Sequence, residues 1–291
     1  MTLILVSGVD AQAAPFDGDR AMDYLTAQCD FGPRVPNTPA AADAIHYFLK
    51  FFKALGDTTI VQRFDLPDPY SSQTLHLTNI IIRFQPEKTT RVLLGAHWDS
   101  RPRADQDSFE PDKPILGAND GASGVAVLME IANQLHAKSP SIGVDLVLFD
   151  GEDWGKEGDI NEYLLGSKYY AANPVEPRAT WVIILDMIGD AELEIPIEPY
   201  SHKAAPDLVR QIWDTARELK YYQFKPRLGY PVYDDHMPFI QRNYQAIDLI
   251  DFQYPNADEN YWHTHEDTPD KCSAESLKAV GQTLLTWIYS K

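Results

Sequence analysis

The stretch Trp181-Val-Ile-Ile-Leu-Asp-Met-Ile-Gly189 decides how this chain folds. Residues 181–185 are apolar on both alternating faces. A strand of that kind belongs in the middle of a sheet covered above and below. The run stops on an acid, Asp186. Val144–Phe149 reads as a second buried central strand, and it too stops on acids, Asp150-Gly-Glu-Asp153. Outward from these two, strand-like runs fall at 58–65, 74–84, 91–97 and 246–250. Ile45, Phe48, Leu49, Phe52 and Leu55 recur at helical spacing and predict an amphipathic helix over 39–56. Val125, Leu128, Met129, Ala132 and Leu135 predict another. Further helices are expected near 162–172, from Pro206 to about Leu219, and through Leu277, Val280, Leu284, Leu285 and Ile288. Strands alternating with helices predict a single α/β domain: a mostly parallel, twisted central β-sheet with helices on both faces.

Composition narrows the function classes. The chain has 291 residues, enough for one large core. Its 43 acidic residues against 25 basic ones give a formal net charge of −18. Such a surface repels nucleic acid and anionic membranes, and no useful basic run exists. It attracts a cationic group such as a peptide's free α-amine, although acidic surfaces also simply keep proteins soluble. No stretch approaches the roughly 20 apolar residues of a membrane span. Residues 1–14 combine a short apolar run with Ala11-Gln-Ala-Ala14, the end of a signal peptide or an N-terminal arm. That predicts a secreted or periplasmic protein whose working domain is 15–291. Cys29 and Cys272 make no disulfide framework, and a monomer is expected.

The acids and histidines fall where ligands bind in open α/β sheets, beyond the carboxyl ends of strands. His97-Trp-Asp99 follows the strand at 91–96. Asp120 sits in the turn Gly117-Ala-Asn-Asp-Gly-Ala-Ser-Gly124. Glu152 and Asp153 follow the strand at 144–149, and Asp186 follows 181–185. Asp234-Asp-His236 and Trp262-His-Thr-His-Glu-Asp267 complete the set. One aspartate at a strand end is usually a helix cap, and His46 and His136 on helices are structural. An acid or His group at nearly every successive strand end is a different matter. So many carboxylates share a small space only if a cation neutralises them or some stay protonated. Imidazole with carboxylate suits zinc, as one ion or as a pair about 4 Å apart. The Gly-rich turn is no phosphate loop, because it lacks Gly-Lys-Ser/Thr and carries an acid where phosphate would lie.

These residues resemble the zinc aminopeptidase clan, and more closely its glutaminyl-peptide cyclotransferase (glutaminyl cyclase) branch. The matching motifs span most of the chain: Phe31-Gly-Pro-Arg-Val-Pro36, Thr78-Asn-Ile-Ile81, Gly95-Ala-His-Trp-Asp-Ser100, the Gly117–Gly124 turn, Phe149-Asp-Gly-Glu-Asp153, Leu165-Gly-Ser167, Leu185-Asp-Met-Ile-Gly189, Asp234-Asp-His-Met-Pro-Phe239 and Trp262-His-Thr264. The resemblance implies a zinc aminopeptidase-like fold and one zinc held by Asp120, Asp153 and His263. Glu152 becomes the acid/base, Asp186 its hydrogen-bond partner and Asp234 a further catalytic acid. The clan's aminopeptidases hold a second zinc, for which His97 and Asp186 are the matching ligands. Asp248 stands where animal cyclases carry a histidine, which points to the bacterial type.

Two activities follow, both on the N-termini of peptides or proteins. In the first, an acyl transfer, one zinc polarises the γ-carboxamide of an N-terminal glutamine. Glu152 then takes a proton from the attacking α-amine and delivers it to departing ammonia, leaving pyroglutamate. Trp262 and Trp154, with Asp248, are expected at the substrate pocket. In the second, two zincs activate water and the first residue is hydrolysed off. A binding module without catalysis would have no use for Glu152.

Overall fold

The computed structural model describes residues 15–291. The stretch 1–14, on which the expectation of a leader or arm rests, lies outside the described residues. In chain order the elements are α1 (Gly18–Cys29), α2 (Pro39–Phe52), β1 (Thr58–Pro67), β2 (Thr74–Phe84), β3 (Arg91–His97), α3 (Gly124–Ala137), β4 (Gly143–Phe149), α4 (Leu165–Ala172), β5 (Trp181–Asp186), β6 (Ile195–Ile197), α5 (Pro199–Ala204), α6 (Pro206–Glu218), β7 (Phe224–Leu228), α7 (Met237–Ile240), β8 (Gln245–Ile250) and α8 (Ala274–Tyr289).

Side-chain oxygens start the helices that flank the sheet. Asp17 accepts from Arg20 N at α1, Thr38 from Ala41 N at α2 and Ser273 from Ser276 N at α8. α2 stops at Phe52, before the 56 that spacing predicts, because Lys53–Gly56 form a turn that still tucks Leu55 against the core. α4 starts at Leu165, since Leu164 takes a left-handed backbone, φ 60°.

The main sheet has six strands in the order β1-β2-β4-β3-β5-β8. β4, β3, β5 and β8 run parallel, and β2 and β1 add antiparallel to one side. Every residue of β3 and β4 is buried, as strands apolar on both faces require. One face of the sheet packs on α1, α2, α3, α6 and α8 through Phe48, Phe52, Leu128, Ile212 and Leu284. The other packs on α4 and α7 through Phe149, Tyr170 and Phe239. Asp145, the acid inside the apolar run of β4, is explained by two buried arginines. It accepts from Arg83 Nε at 2.9 Å and from Arg91 Nη2 at 2.5 Å, tying β2, β3 and β4 together at the end of the sheet opposite the site.

Because the central strands are parallel, their carboxyl ends emerge on one side, and His97, Asp150 and Asp186 lie there together. Among the described residues no helix is long and apolar enough to cross a membrane.

Candidate metal centre

β3 delivers His97 fully buried. Its Nε2 lies 3.1 Å from Asp120 Oδ1 and 3.2 Å from Asp186 Oδ1. Asp99, two residues on, accepts from the backbone N–H groups of Glu152 (3.1 Å) and Asp153 (3.3 Å), which joins the ends of β3 and β4. Asp99 Oδ1 is also 3.5 Å from His97 Nδ1.

Asp120 is presented by a turn that only glycine permits. Gly117 has φ 63° and Gly121 φ 97°, while Asp120 itself is non-helical at φ −81°, ψ 96°. A Cβ on Gly121 would meet Asp99 O at 2.7 Å. Asp267, from the far end of the chain, accepts from Asn119 N (2.8 Å) and Asp120 N (3.1 Å), and the Tyr254 hydroxyl donates to it at 3.0 Å.

His263 arrives from the segment after β8 with φ 57° and its ring stacked on Trp262, centroids 3.7 Å apart. Its Nε2 is 3.4 Å from Asp153 Oδ1 and 3.6 Å from Asp120 Oδ2. One ligand atom each from Asp120, Asp153 and His263 therefore falls within 4.8 Å of the others, as do those of His97, Asp120 and Asp186. Asp120, Asp153, Asp186 and His263 open on a cavity of about 810 Å³ whose walls also include Glu152, Asp234 and Trp262.

Burial dominates the electrostatics. It pushes Asp120 up to about 6, with Asp153 adding to the shift. Glu152 is driven well above the usual carboxylate range by burial first and then by the Asp153 charge. Asp234 rises to about 6, from burial and then Asp186. Asp153 stays near 2, because His263 and Arg101 outweigh its own desolvation. The carboxylates around His97 overcome its desolvation and hold it well above 6.5. His263 rises to about 9 against its desolvation, chiefly through Asp153.

Two buried carboxylates and an imidazole converge, and Asp153 Oδ2 is buried with no hydrogen-bond partner. That donor set, with a cavity on its open side, fits a zinc ion that keeps a position free for substrate.

The sequence profile of Peptidase family M28 matches residues 79–288. The chain belongs to peptidase family M28. Tannerella forsythia glutaminyl cyclase is 40% identical, with TM-score 0.91 over 96% of this chain and 100% of that one. A Zn-dependent exopeptidase from Parabacteroides distasonis is 38% identical, also at TM-score 0.91, over 96% of this chain and 100% of that one. Among curated proteins, the Drosophila melanogaster glutaminyl-peptide cyclotransferase is 24% identical over 266 residues, covering 81% of this chain and 70% of that protein.

The fold of this M28 protein brings Asp120, Glu152, Asp153, Asp186, Asp234, Trp262 and His263 onto one cavity. It does not bring Trp154 or Asp248 there, and those two expectations are corrected. Trp154 packs with Phe64, Leu75, Leu77 and Leu165 and donates its Nε1–H to Asp68 at 3.1 Å. Asp248 points into the molecule and is fully buried, its Oδ2 3.6 Å from His236 Nδ1. Chain neighbours of a ligand or strand-end acid can face either way, and only packing decides which. Asp234, His236 and Asp248 form a third buried group of potential ligands, and Glu198 Oε2 sits 3.3 Å from His236 Nε2. Sequence reasoning also passed over Arg101 and Asp105. The available signal was an Arg and an Asp four apart directly after His97-Trp-Asp-Ser100. Cys29 and Cys272 are free thiols.

Proposed function

We propose that this chain is a zinc-dependent glutaminyl-peptide cyclotransferase, an acyltransferase that converts N-terminal glutamine of peptides or proteins to pyroglutamate and releases ammonia. The observation that carries the one-zinc form is the placement of His97. Its Nε2 lies between Asp120 Oδ1 and Asp186 Oδ1, at 3.1 and 3.2 Å. A hydrogen bond from His97 Nε2 would satisfy these carboxylate oxygens without a second ion. Likeness to the Tannerella forsythia glutaminyl cyclase along nearly the whole chain supports the same reading.

Asp120, Asp153 and His263 are the proposed ligands. Zinc bound there would polarise the γ-carboxamide oxygen and stabilise the charge that develops on it. Glu152 on the same cavity wall takes a proton from the α-amine as its nitrogen bonds to Cδ, the carbonyl carbon of the γ-carboxamide. It then returns that proton to the amide nitrogen, which leaves as ammonia. The raised proton affinity of Glu152 suits a group that must both accept and return a proton. Asp186 is the group proposed to hold Glu152 in place, and Asp234 a further catalytic acid on the same cavity. Trp262, stacked on His263, walls the pocket against the glutaminyl side chain.

The second reading is a di-zinc aminopeptidase. His97, Asp120 and Asp186 also gather closely enough to hold an ion, and one close structural relative is a Zn-dependent exopeptidase. Here water replaces the substrate's own amine as nucleophile, with Glu152 as base. We place the protein in the secreted or periplasmic space on the strength of Ala11–Ala14. We also propose that it acts as a monomer. The deciding experiment offers the purified protein a Gln-peptide and a Leu-aminoacyl substrate and counts zinc per chain. Ammonia release from the Gln-peptide at about one zinc is expected. Free leucine at about two zincs would overturn cyclisation.

A further inference from the structure

Arg101 and Asp105 lie in the loop after β3, and neither lines the cavity. Arg101 is buried, and its guanidinium is fully engaged. Nε and Nη2 take the two oxygens of Asp105, at 2.8 and 2.5 Å. Nη1 donates to Asp153 Oδ1 at 2.6 Å and to the Asp153 carbonyl at 3.2 Å, and Nη2 also reaches the Tyr163 hydroxyl at 3.0 Å. Asp105 Oδ1 in turn faces His263 Nδ1 at 3.5 Å. With His263 Nε2 3.4 Å from Asp153 Oδ1, the four side chains close a ring: His263, Asp105, Arg101, Asp153.

We infer that Arg101 and Asp105 are positioning residues that set two of the three proposed zinc ligands in coordinating form. This rests on the ligand assignment above. An imidazole coordinates through one nitrogen while the other carries a proton, and a carboxylate facing Nδ1 selects the tautomer whose Nε2 is free. Asp105 occupies that place. Arg101 anchors Asp153 by Oδ1 alone and leaves Oδ2, buried and without a partner, for the cation. The guanidinium is planar, so its fork on Asp105 and its third nitrogen on Asp153 fix the two ligands at one angle to each other. Lysine at this position would keep the charge and lose that geometry.

The test uses Asp105→Asn and Arg101→Lys in the full chain. Zinc affinity is read by competition with a chelator. The ligand geometry is read from the absorption bands of the cobalt-substituted protein, which a purely structural role would not move. We expect zinc affinity to fall roughly 10- to 100-fold in each variant, with altered cobalt bands. KM for a Gln-peptide should stay within about twofold while kcat falls, because neither side chain reaches the cavity. If Arg101→Lys fails to fold, Asp105→Asn alone decides. Parent-like zinc affinity with the parent's cobalt spectrum overturns the inference and leaves the ligand assignment standing. A parent protein that holds no zinc overturns the assignment itself.

Discussion

In the proposed reaction, Glu152 is the residue on which the chemistry turns. Burial and the neighbouring Asp153 charge raise its pKa, with Asp234 and Asp235 adding to the effect and His97 opposing it. A carboxyl that must start the reaction as a base is inactive while protonated. kcat/KM is therefore expected to climb as pH rises through the Glu152 pKa, and a pH–rate profile with its acid limb well above ordinary carboxylate pH checks this. Glu152→Gln keeps the shape and removes the base. We expect turnover to fall about 10²- to 10⁴-fold with zinc content unchanged, measured by ammonia release and by metal analysis of the same sample. A variant retaining near-parent turnover would refute the role. At this scale the sequence singled out side chains that come together in space, since Asp120, Asp153 and His263 do meet. It could not tell that Trp154 turns to a hydrophobic cluster and Asp248 into the interior. Side-chain direction in a loop, or on a strand buried on both faces, is set by what packs against it.

The Gly117–Ser123 turn is the element that makes the centre possible. It reverses the chain between β3 and α3, presents Asp120 to both histidines and takes its shape from Gly117, Gly121 and the Asp267 carboxylate. Gly121→Ala puts a Cβ 2.7 Å from Asp99 O on a residue whose φ is 97°. The strain is on the order of 1–3 kcal/mol, and it falls on the backbone that aims Asp120. We expect a lower thermal midpoint and a weakened zinc affinity together, measured by calorimetry with and without a chelator. Full metal affinity in the variant would show that the turn tolerates a different shape. Among the elements, β3, β4 and β5 were legible because strands covered on both faces must be apolar throughout. α1 was missed although Ala21, Leu25 and Cys29 recur every fourth residue behind an Asp17 cap. α5, α7, β6 and β7 are short, and their form comes from contacts made elsewhere in the chain.

Across the molecule, folding buries acids that an unfolded chain would leave in water. Without metal, Asp120, Asp190 and Asp234 are pushed up to about 6, and Asp251 and Asp267 to about 7, in each case first by burial. The folded state therefore holds protons that the unfolded chain releases near pH 4. The stability tied to them is lost as pH rises from there through the folded values. His263, raised to about 9, contributes stability that is present below about 6.5 and lost as pH approaches 9. Asp153 and Glu198, both held near 2, oppose this only in acid, below about pH 4. The metal-free protein is therefore expected to be most stable near pH 5 and to lose stability towards pH 9. Zinc held by the proposed ligands would displace protons from Asp120 and His263, and it should raise the thermal midpoint more at pH 8 than at pH 6. Melts with zinc and with chelator across that range check both statements, and a metal-free protein more stable at pH 8 than at pH 5 would contradict them. By itself the sequence determined an α/β sheet buried on both faces, with acids and histidines at its strand ends, because periodicity and chain order are local properties. Tertiary structure alone decided which of those groups share a cavity, which face inward, and that Arg101 and Asp105 join His263 to Asp153. Those are distances between segments far apart in the chain, fixed only when the sheet and its helices pack.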